Sequence, residues 1–386
     1  MIGYGKQSID KSDIDAVKNA LKNKWLTQGS VVDKFEESLT YFFRSKYACA
    51  VSNGTAALHL SGLALGWKPG DIILTSPITF VATSNSVLYC GATPDFVDID
   101  STTFTIDPNL LEDKIKSYRL ANKIVKAVIG VDFAGHPCDW ESLKFLADKY
   151  QFKLINDNCH AMGASYKDDN HYAVKYADVV TQSFHPVKHI TTGEGGAIIS
   201  NDVNFIDKVK MLRSHGNVAE NEKLEKNEGP WYYEMHELGF NYRITDFQCA
   251  LGISQLKRLE SFISKRIEIA SKYNSAFTNY DFIKIPKVLQ NIKHAYHLYP
   301  LRINFIKSKI SKKDFFNFMF DEGFRLQVHY IPIYHHPFYR EKFGYNPKDF
   351  KASEKFYSEE VSLPIFPGLT PEDLNKVVDL ISLKFK

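Results

Sequence analysis

From Tyr47 to Ser200 the chain alternates short Val, Ile and Leu runs with stretches whose apolar residues recur at helical spacing. "YACAVSN" predicts a strand, and "GTAALHLSGLALG" a helix opened by small residues. "DIILTSP" reads as a strand, "FVATSNSVLYCG" as a helix and "TPDFVDID" as a strand again. "IVKAVIGVDF", "WESLKFLADKY" and "FKLINDN" repeat the unit, while "ADVVTQSF" and "GGAIIS" add two more buried strands. This alternation predicts an α/β fold: a mainly parallel sheet with helices on both faces. After Gly252 the pattern changes. "ISQLKRLESFISKRIEIASKYNSAF" predicts one long helix, "YHLYPLRINF" a strand and "KKDFFNFMFDEG" a helix. A larger domain over 1–255 and a smaller α+β domain over 256–386 are therefore expected. Within the larger one, "SHGNVAENEKLEKNEGPWYYEMHELG" is polar and irregular. Loops of this length are uncommon and tend to be functional or disordered, and the stretch 217–230 is a candidate cover for a bound substrate.

Bulk properties narrow the partners. The 386 residues suffice for two domains, and 44% apolar with 24% charged residues is ordinary for a soluble protein. A formal net charge of +3 gives no electrostatic footprint for nucleic acid. "MIGYGKQSIDKSDIDAVKNAL" lacks the apolar core of a secretory signal, and no stretch approaches the roughly 18 apolar residues of a membrane span. A cytoplasmic protein without membrane or nucleic-acid partners is expected. Cys49, Cys90, Cys138, Cys159 and Cys249 stand singly, which argues for reduced thiols.

Four features fall where strands of a parallel sheet should end, the place where ligands collect in such folds. "SNGTAALHL" puts Ser52 to Thr55 at a strand-to-helix junction. The first amides of that helix suit an anion such as phosphate, and a plain cap by Asn53 or Thr55 is the alternative reading. "SPITFVATSN" places Phe80 just beyond a strand, where it would stack on a planar ligand or pack in the core. "INDNCHAMGA" ends a buried strand with Asp157, a costly placement unless a donor, a cation or a helix N-terminus uses the carboxylate. Lys188, in "SFHPVKHITTGEGG", lies between two buried strands, where desolvation would lower its pKa and make it a nucleophile toward a carbonyl.

An anion cradle, a stacking ring, a carboxylate and an amine together answer the needs of pyridoxal 5′-phosphate. That cofactor requires a lysine for a Schiff base and an acidic partner that keeps its ring nitrogen protonated. The Rossmann alternative lacks any GxGxxG after the first strand. His185 and His189, or His329, His335 and His336, do not complete a tetrahedral metal-ligand pattern.

These motifs, with "WLTQG", "DFAGHPCDW", "RSHG", "GFNYRITDFQCALGISQL" and "LQVHYIPIYHHPFY", run along nearly the whole chain. It resembles the DegT/DnrJ/StrS family of sugar aminotransferases, of aspartate-aminotransferase fold type I, and within it the pseudaminic-acid-pathway branch. The resemblance implies a large domain with a mainly parallel seven-stranded sheet and a smaller C-terminal α+β domain. It implies amination at C4 of a UDP-linked 4-keto-6-deoxy-N-acetylamino sugar, with L-glutamate as donor. The alternative is C4 or C3 amination of a D-configured UDP- or dTDP-keto sugar. By the same resemblance Lys188 carries the Schiff base and shuttles protons, Asp157 pairs with the pyridine nitrogen, and Phe80 stacks on the ring. His160, where much of the family has glutamine, would sit near the phenolic oxygen. Gly54, Thr55 and Ser183 would hold the phosphate. Asn241 would reach it from the neighbouring subunit, implying a homodimer with shared active sites. Thr27, Gln28, Arg243, His329 and Tyr330 would border the substrate.

Overall fold

The computed structural model describes residues 1–385, Asn221 by its backbone alone. Seven strands form the main sheet: β1 (Tyr47–Val51), β2 (Ile72–Thr75), β3 (Thr93–Phe96), β4 (Val125–Val131), β5 (Lys153–Asp157), β6 (Val179–Ser183) and β7 (Gly196–Ser200). Their order across the sheet is β1-β7-β6-β5-β4-β2-β3. Neighbours pair in parallel except where β7 runs against β1 and β6.

The Val/Ile/Leu content of these strands follows from burial on both faces. Ala50, Leu74, Val128, Leu154, Val180 and Ile199 point into one core, capped by helices Ser30–Phe43 and Trp140–Tyr150. The alternate positions Val51, Ile73, Ala127, Ile129, Ile155 and Ile198 point into another. That second core lies under helices Gly54–Ala64, Val81–Tyr89 and Val203–Arg213. The period of two along each strand is what sorts the side chains between the two layers. The expected sheet is thus present, with helices on both sides.

The single long helix expected after Gly252 is two helices, Asp246–Leu256 and Leu259–Phe277. The break has a cause outside the segment. Arg258 leaves helical geometry (φ −107°, ψ 1°) and reaches back to Asp10, at 2.7 Å, and to buried Asp13. Gln255 Nε2 donates to the same Asp13 carboxylate at 2.6 Å. The second helix links the cores: Leu259 and Ile263 belong to the sheet core, whereas Ile269, Tyr273 and Phe277 enter a third one. That third core packs a three-stranded antiparallel sheet (Ile283–Lys284, Tyr299–Ile303, Glu360–Leu363) against helices Lys312–Asp321 and Pro371–Lys384. The first residues join this end too, since Ile2–Gly3 pairs in parallel with Phe324–Arg325. The polar stretch before residue 240 is less irregular than expected: Asn217–Val218 and Glu234–Met235 form a short antiparallel ladder. Among the described residues no helix is long and apolar enough to cross a membrane.

Candidate active site

Asp157 is the last residue of β5 and is buried. Its neighbours in register are Val131 and Thr181, so the carboxylate sits mid-sheet at the carboxyl edge of the strands. Thr83 Oγ1, on helix Val81–Tyr89, lies 2.9 Å from Asp157 Oδ2 and donates to it. Thr79 Oγ1 stands 2.8 Å from Thr83, extending the chain of hydroxyls. Cys159 N donates to the other carboxylate oxygen at 3.3 Å. The next residue, Asn158, is bolted down from below. Its amide donates to Asp132 Oδ2 at 2.8 Å, and Tyr172 Oη, Trp140 Nε1 and Cys138 N donate to that same carboxylate. Burial nonetheless pushes the Asp132 carboxyl up to about 6. This network fixes where the strand ends and therefore where Asp157 points.

Lys188 lies in the loop between β6 and β7 and is half-buried. Loss of water lowers its ammonium from the ordinary lysine value; Cys159 and Asp157 oppose that shift and Arg266 reinforces it. No ion-pair partner holds its Nζ among the described residues, so the amine is free for chemistry. Arg266 itself is buried on helix Leu259–Phe277 and has no carboxylate partner among the described residues. Its Nη1 donates to the carbonyls of Ile365 (2.7 Å), Tyr296 (3.1 Å) and His297 (3.3 Å), and burial lowers it to about 10.

Opposite β6, helix Gly54–Ala64 begins. Asn53, not Thr55, is its cap, accepting from Ala56 N at 2.8 Å. The amides of Gly54 and Thr55 have no intrahelical partner by construction. A Cβ on Gly54 would stand 2.8 Å from Ser183 Cβ, so only glycine lets the helix start come this close to the end of β6. Gly54, Thr55 and Ser183 are thereby brought together in one cradle.

Phe80 precedes helix Val81–Tyr89 and is 56% exposed, an aromatic face left uncovered above the strand ends. Its ring centroid is 6.1 Å from that of Tyr330. Tyr330 Oη is 3.1 Å from His160 Nε2, and His160 Nδ1 faces Ala134 N at 3.3 Å. His160, His189 and His297 lie together beside Lys188. Burial first, and the neighbouring cation second or later, hold all three imidazoles well below the ordinary histidine value. His329 is lowered to about 3 for the same reasons. Its ring Nδ1 lies 2.8 Å from Ser362 Oγ, and its backbone N–H donates to Glu360.

The remaining sequence candidates lie nearby on the surface. Thr27 and Gln28 are exposed and held through their neighbours: Thr27 bridges to Thr245, and buried Asp246 accepts from Gly29 N at 2.9 Å. Asn241 is exposed, and Arg243 half-buried, on either side of Tyr242, whose carbonyl accepts from Ser52 N at 2.8 Å. The segment therefore runs along the helix cradle. Thr83, Asp132, Arg266 and His297 are not singled out by the sequence, and His189 is weighed there only as a metal ligand. The one local signal was the pair Thr79 and Thr83, four residues apart on the turn that carries Phe80. A cavity of about 650 Å³ lies away from this chemistry, against edge strand β3, lined by Asp95, Lys114, Tyr118 and Tyr345.

Residues 7–382 match the model of the DegT/DnrJ/EryC1/StrS aminotransferase family. The UDP-4-amino-4,6-dideoxy-N-acetyl-beta-L-altrosamine transaminase of Campylobacter jejuni is 40% identical over 382 residues, 99% of this chain and 96% of that protein. Helicobacter pylori PseC, an aminotransferase involved in the biosynthesis of pseudoaminic acid, superposes with a TM-score of 0.89 at 33% identity. The match covers 100% of this chain and 99% of that one. NtdA of Bacillus subtilis, solved with bound cofactor PMP, gives a TM-score of 0.83 at 27% identity, covering 98% of this chain and 83% of that one.

Proposed function

Because the chain belongs to the DegT/DnrJ/EryC1/StrS aminotransferase family, we propose a specific transfer. It moves an amino group from L-glutamate to the C4 ketone of a UDP-linked 4-keto-6-deoxy-N-acetylamino sugar, using pyridoxal 5′-phosphate. One observation carries this reading. An amine without an ion-pair partner, Lys188, stands beside the strand-end carboxylate Asp157 and near a glycine-floored helix start. The Campylobacter relative supports the choice of sugar, and the PMP-bound relative supports the cofactor.

The residues suit the group. Gly54, Thr55 and Ser183 would take its phosphate on unpaired amides and a hydroxyl, with Asn241 of a second copy completing the site in a cytoplasmic homodimer. Phe80 would cover one ring face, Asp157 would pair with the ring nitrogen, and His160 with Tyr330 would border the phenolic edge. When bound, the group supplies an aldehyde that condenses with amines and a ring that takes up an electron pair. Lys188 would hold it through that aldehyde and, as a free base, would take the proton from the donor's α-carbon and deliver one at the acceptor carbon. Its lowered ammonium leaves more free base near neutral pH, which suits that task. Thr83 fixes the Asp157 carboxylate, whose charge would then be available to the ring nitrogen. Thr27, Gln28 and Arg243 would meet the nucleotide sugar, and His329 would support Tyr330 at its border. On this reading residues 1–255 form the cofactor-binding domain and 256–386 the smaller one.

The test is the visible absorbance of the loaded protein before and after L-glutamate. A band that bleaches, and returns on adding the keto-sugar, is expected. A band indifferent to glutamate removes the donor from the account. Absence of any band removes the cofactor.

A further inference from the structure

His160 has two ring nitrogens, and both are engaged. Nδ1 faces the backbone N–H of Ala134 at 3.3 Å. A backbone N–H only donates, so Nδ1 carries no proton. The imidazole is kept neutral by burial and by the charge of Lys188, so its one N–H is on Nε2, which points to Tyr330 Oη at 3.1 Å. The phenol oxygen therefore accepts from His160, and the phenol proton must be given elsewhere. Tyr330 keeps that proton, because burial, with Tyr4 and Asp157 nearby, pushes its ionisation well above the ordinary value.

The surroundings hold this direction in place. Ala134 sits in the left-handed region (φ 59°, ψ −4°), a backbone conformation unfavourable for a non-glycine residue. It stays there because Leu298 N donates to Ala134 O at 3.2 Å and Ala295 N to Gly135 O at 2.9 Å. Gly135 (φ 105°) has no room for a Cβ, which would meet Tyr296 N at 2.7 Å and His160 O at 3.0 Å. On the other side, buried Glu360 accepts from His329 N at 3.0 Å and so fixes the residue before Tyr330. The Tyr330 ring ends up beside Phe80, the exposed aromatic at the strand ends.

We propose that the Tyr330 hydroxyl is the hydrogen-bond donor to the phenolic oxygen of the bound pyridoxal ring, and that His160 is a positioning residue that aims it. This rests on the cofactor reading given above. His160 cannot be that donor while its single N–H is spent on Tyr330.

The test compares Tyr330→Phe, His160→Phe and His160→Gln, each loaded with pyridoxal 5′-phosphate, by the pH at which the visible band titrates. A donor on the phenolic oxygen stabilises its negative charge and weakens its hold on the neighbouring proton. Losing the donor therefore raises the midpoint, by about one pH unit for one hydrogen bond to a charged group. Tyr330→Phe and His160→Phe should both show this rise. His160→Gln should leave the midpoint in place, since a glutamine offers the same acceptor and donor pair to Ala134 and Tyr330. An unmoved midpoint in Tyr330→Phe, with a shift in His160→Phe, would overturn the assignment and leave the cofactor reading standing. A protein that shows no band before any substitution would instead sink the cofactor reading. Independently of folding in the variants, ¹⁵N histidine spectra of the unaltered, cofactor-free protein should show His160 as the neutral Nε2–H tautomer at neutral pH. An Nδ1–H tautomer or an imidazolium there contradicts the proposal.

Discussion

The 650 Å³ cavity beside β3 and the cleft around Lys188 are both lined by charged side chains, yet those charges are engaged differently. In the cavity Asp95 and Asp98 are both answered. Asp95 receives Tyr118 Oη at 2.6 Å, Lys114 Nζ at 2.6 Å and Phe96 N at 2.7 Å. Asp98 receives Ala352 N, Ser353 N and Ser353 Oγ, which start the helix Lys351–Glu359. Among the described residues, the amine of Lys188 in the cleft has no ion-pair partner, and His189 and His297 each keep a buried Nδ1 without a hydrogen bond. Satisfied polar groups stabilise a fold, whereas polar groups left with spare capacity can bind or react.

The sharpest way to break this contrast is Lys188→Ala. It should still take up the cofactor noncovalently but lose turnover with glutamate and keto-sugar by more than about 10³-fold. Retained transamination without an added amine would show that the spare amine is not the reactive one.

Acid should discriminate next. His160, His189, His294 and His297 are held well below the usual histidine value, and His329 is lowered to about 3. The unfolded chain takes up protons near its ordinary pKa of about 6.5, and the folded chain does not. Stability is therefore complete above that pH and is lost as pH falls through it, by about 1.4 kcal/mol per unit for each such histidine. Denaturant midpoints at successive pH values measure this; a flat profile below neutral pH would place those imidazoles in water.

Asp157→Asn should lower turnover by about 10²-fold with the fold intact, since a neutral amide does not hold the ring nitrogen protonated. Steady-state rates beside an unchanged thermal midpoint check it. At the cavity the balance is reversed. Asp98→Ala should cost about 2 kcal/mol of stability, having capped a helix start and a serine, and should leave turnover alone. Matched denaturation and rate measurements would expose either departure.

The sheet was legible because Val, Ile and Leu runs separated by helical stretches admit few arrangements, and Asp157 and Lys188 stood out as ionisable groups next to such runs. What escaped depends on partners distant in sequence. Nothing near Lys257 announces that Arg258 will turn toward Asp10 and Asp13 and split a helix. Thr83 matters only because β5 places Asp157 beside it. The Tyr330 hydroxyl meets His160, 170 residues earlier, a contact that no local spacing announces. The choice between Asn53 and Thr55 as helix cap, left open by their spacing, is settled by the extended backbone at Asn53 (φ −169°, ψ 171°).

The most direct test of the account loads the protein with pyridoxal 5′-phosphate, reduces it with borohydride and locates the modified lysine by peptide mass mapping. The account predicts a single adduct on Lys188. An adduct on Lys114 at the cavity, on half-buried Lys312, or spread over surface lysines with Lys188 unmodified would contradict it.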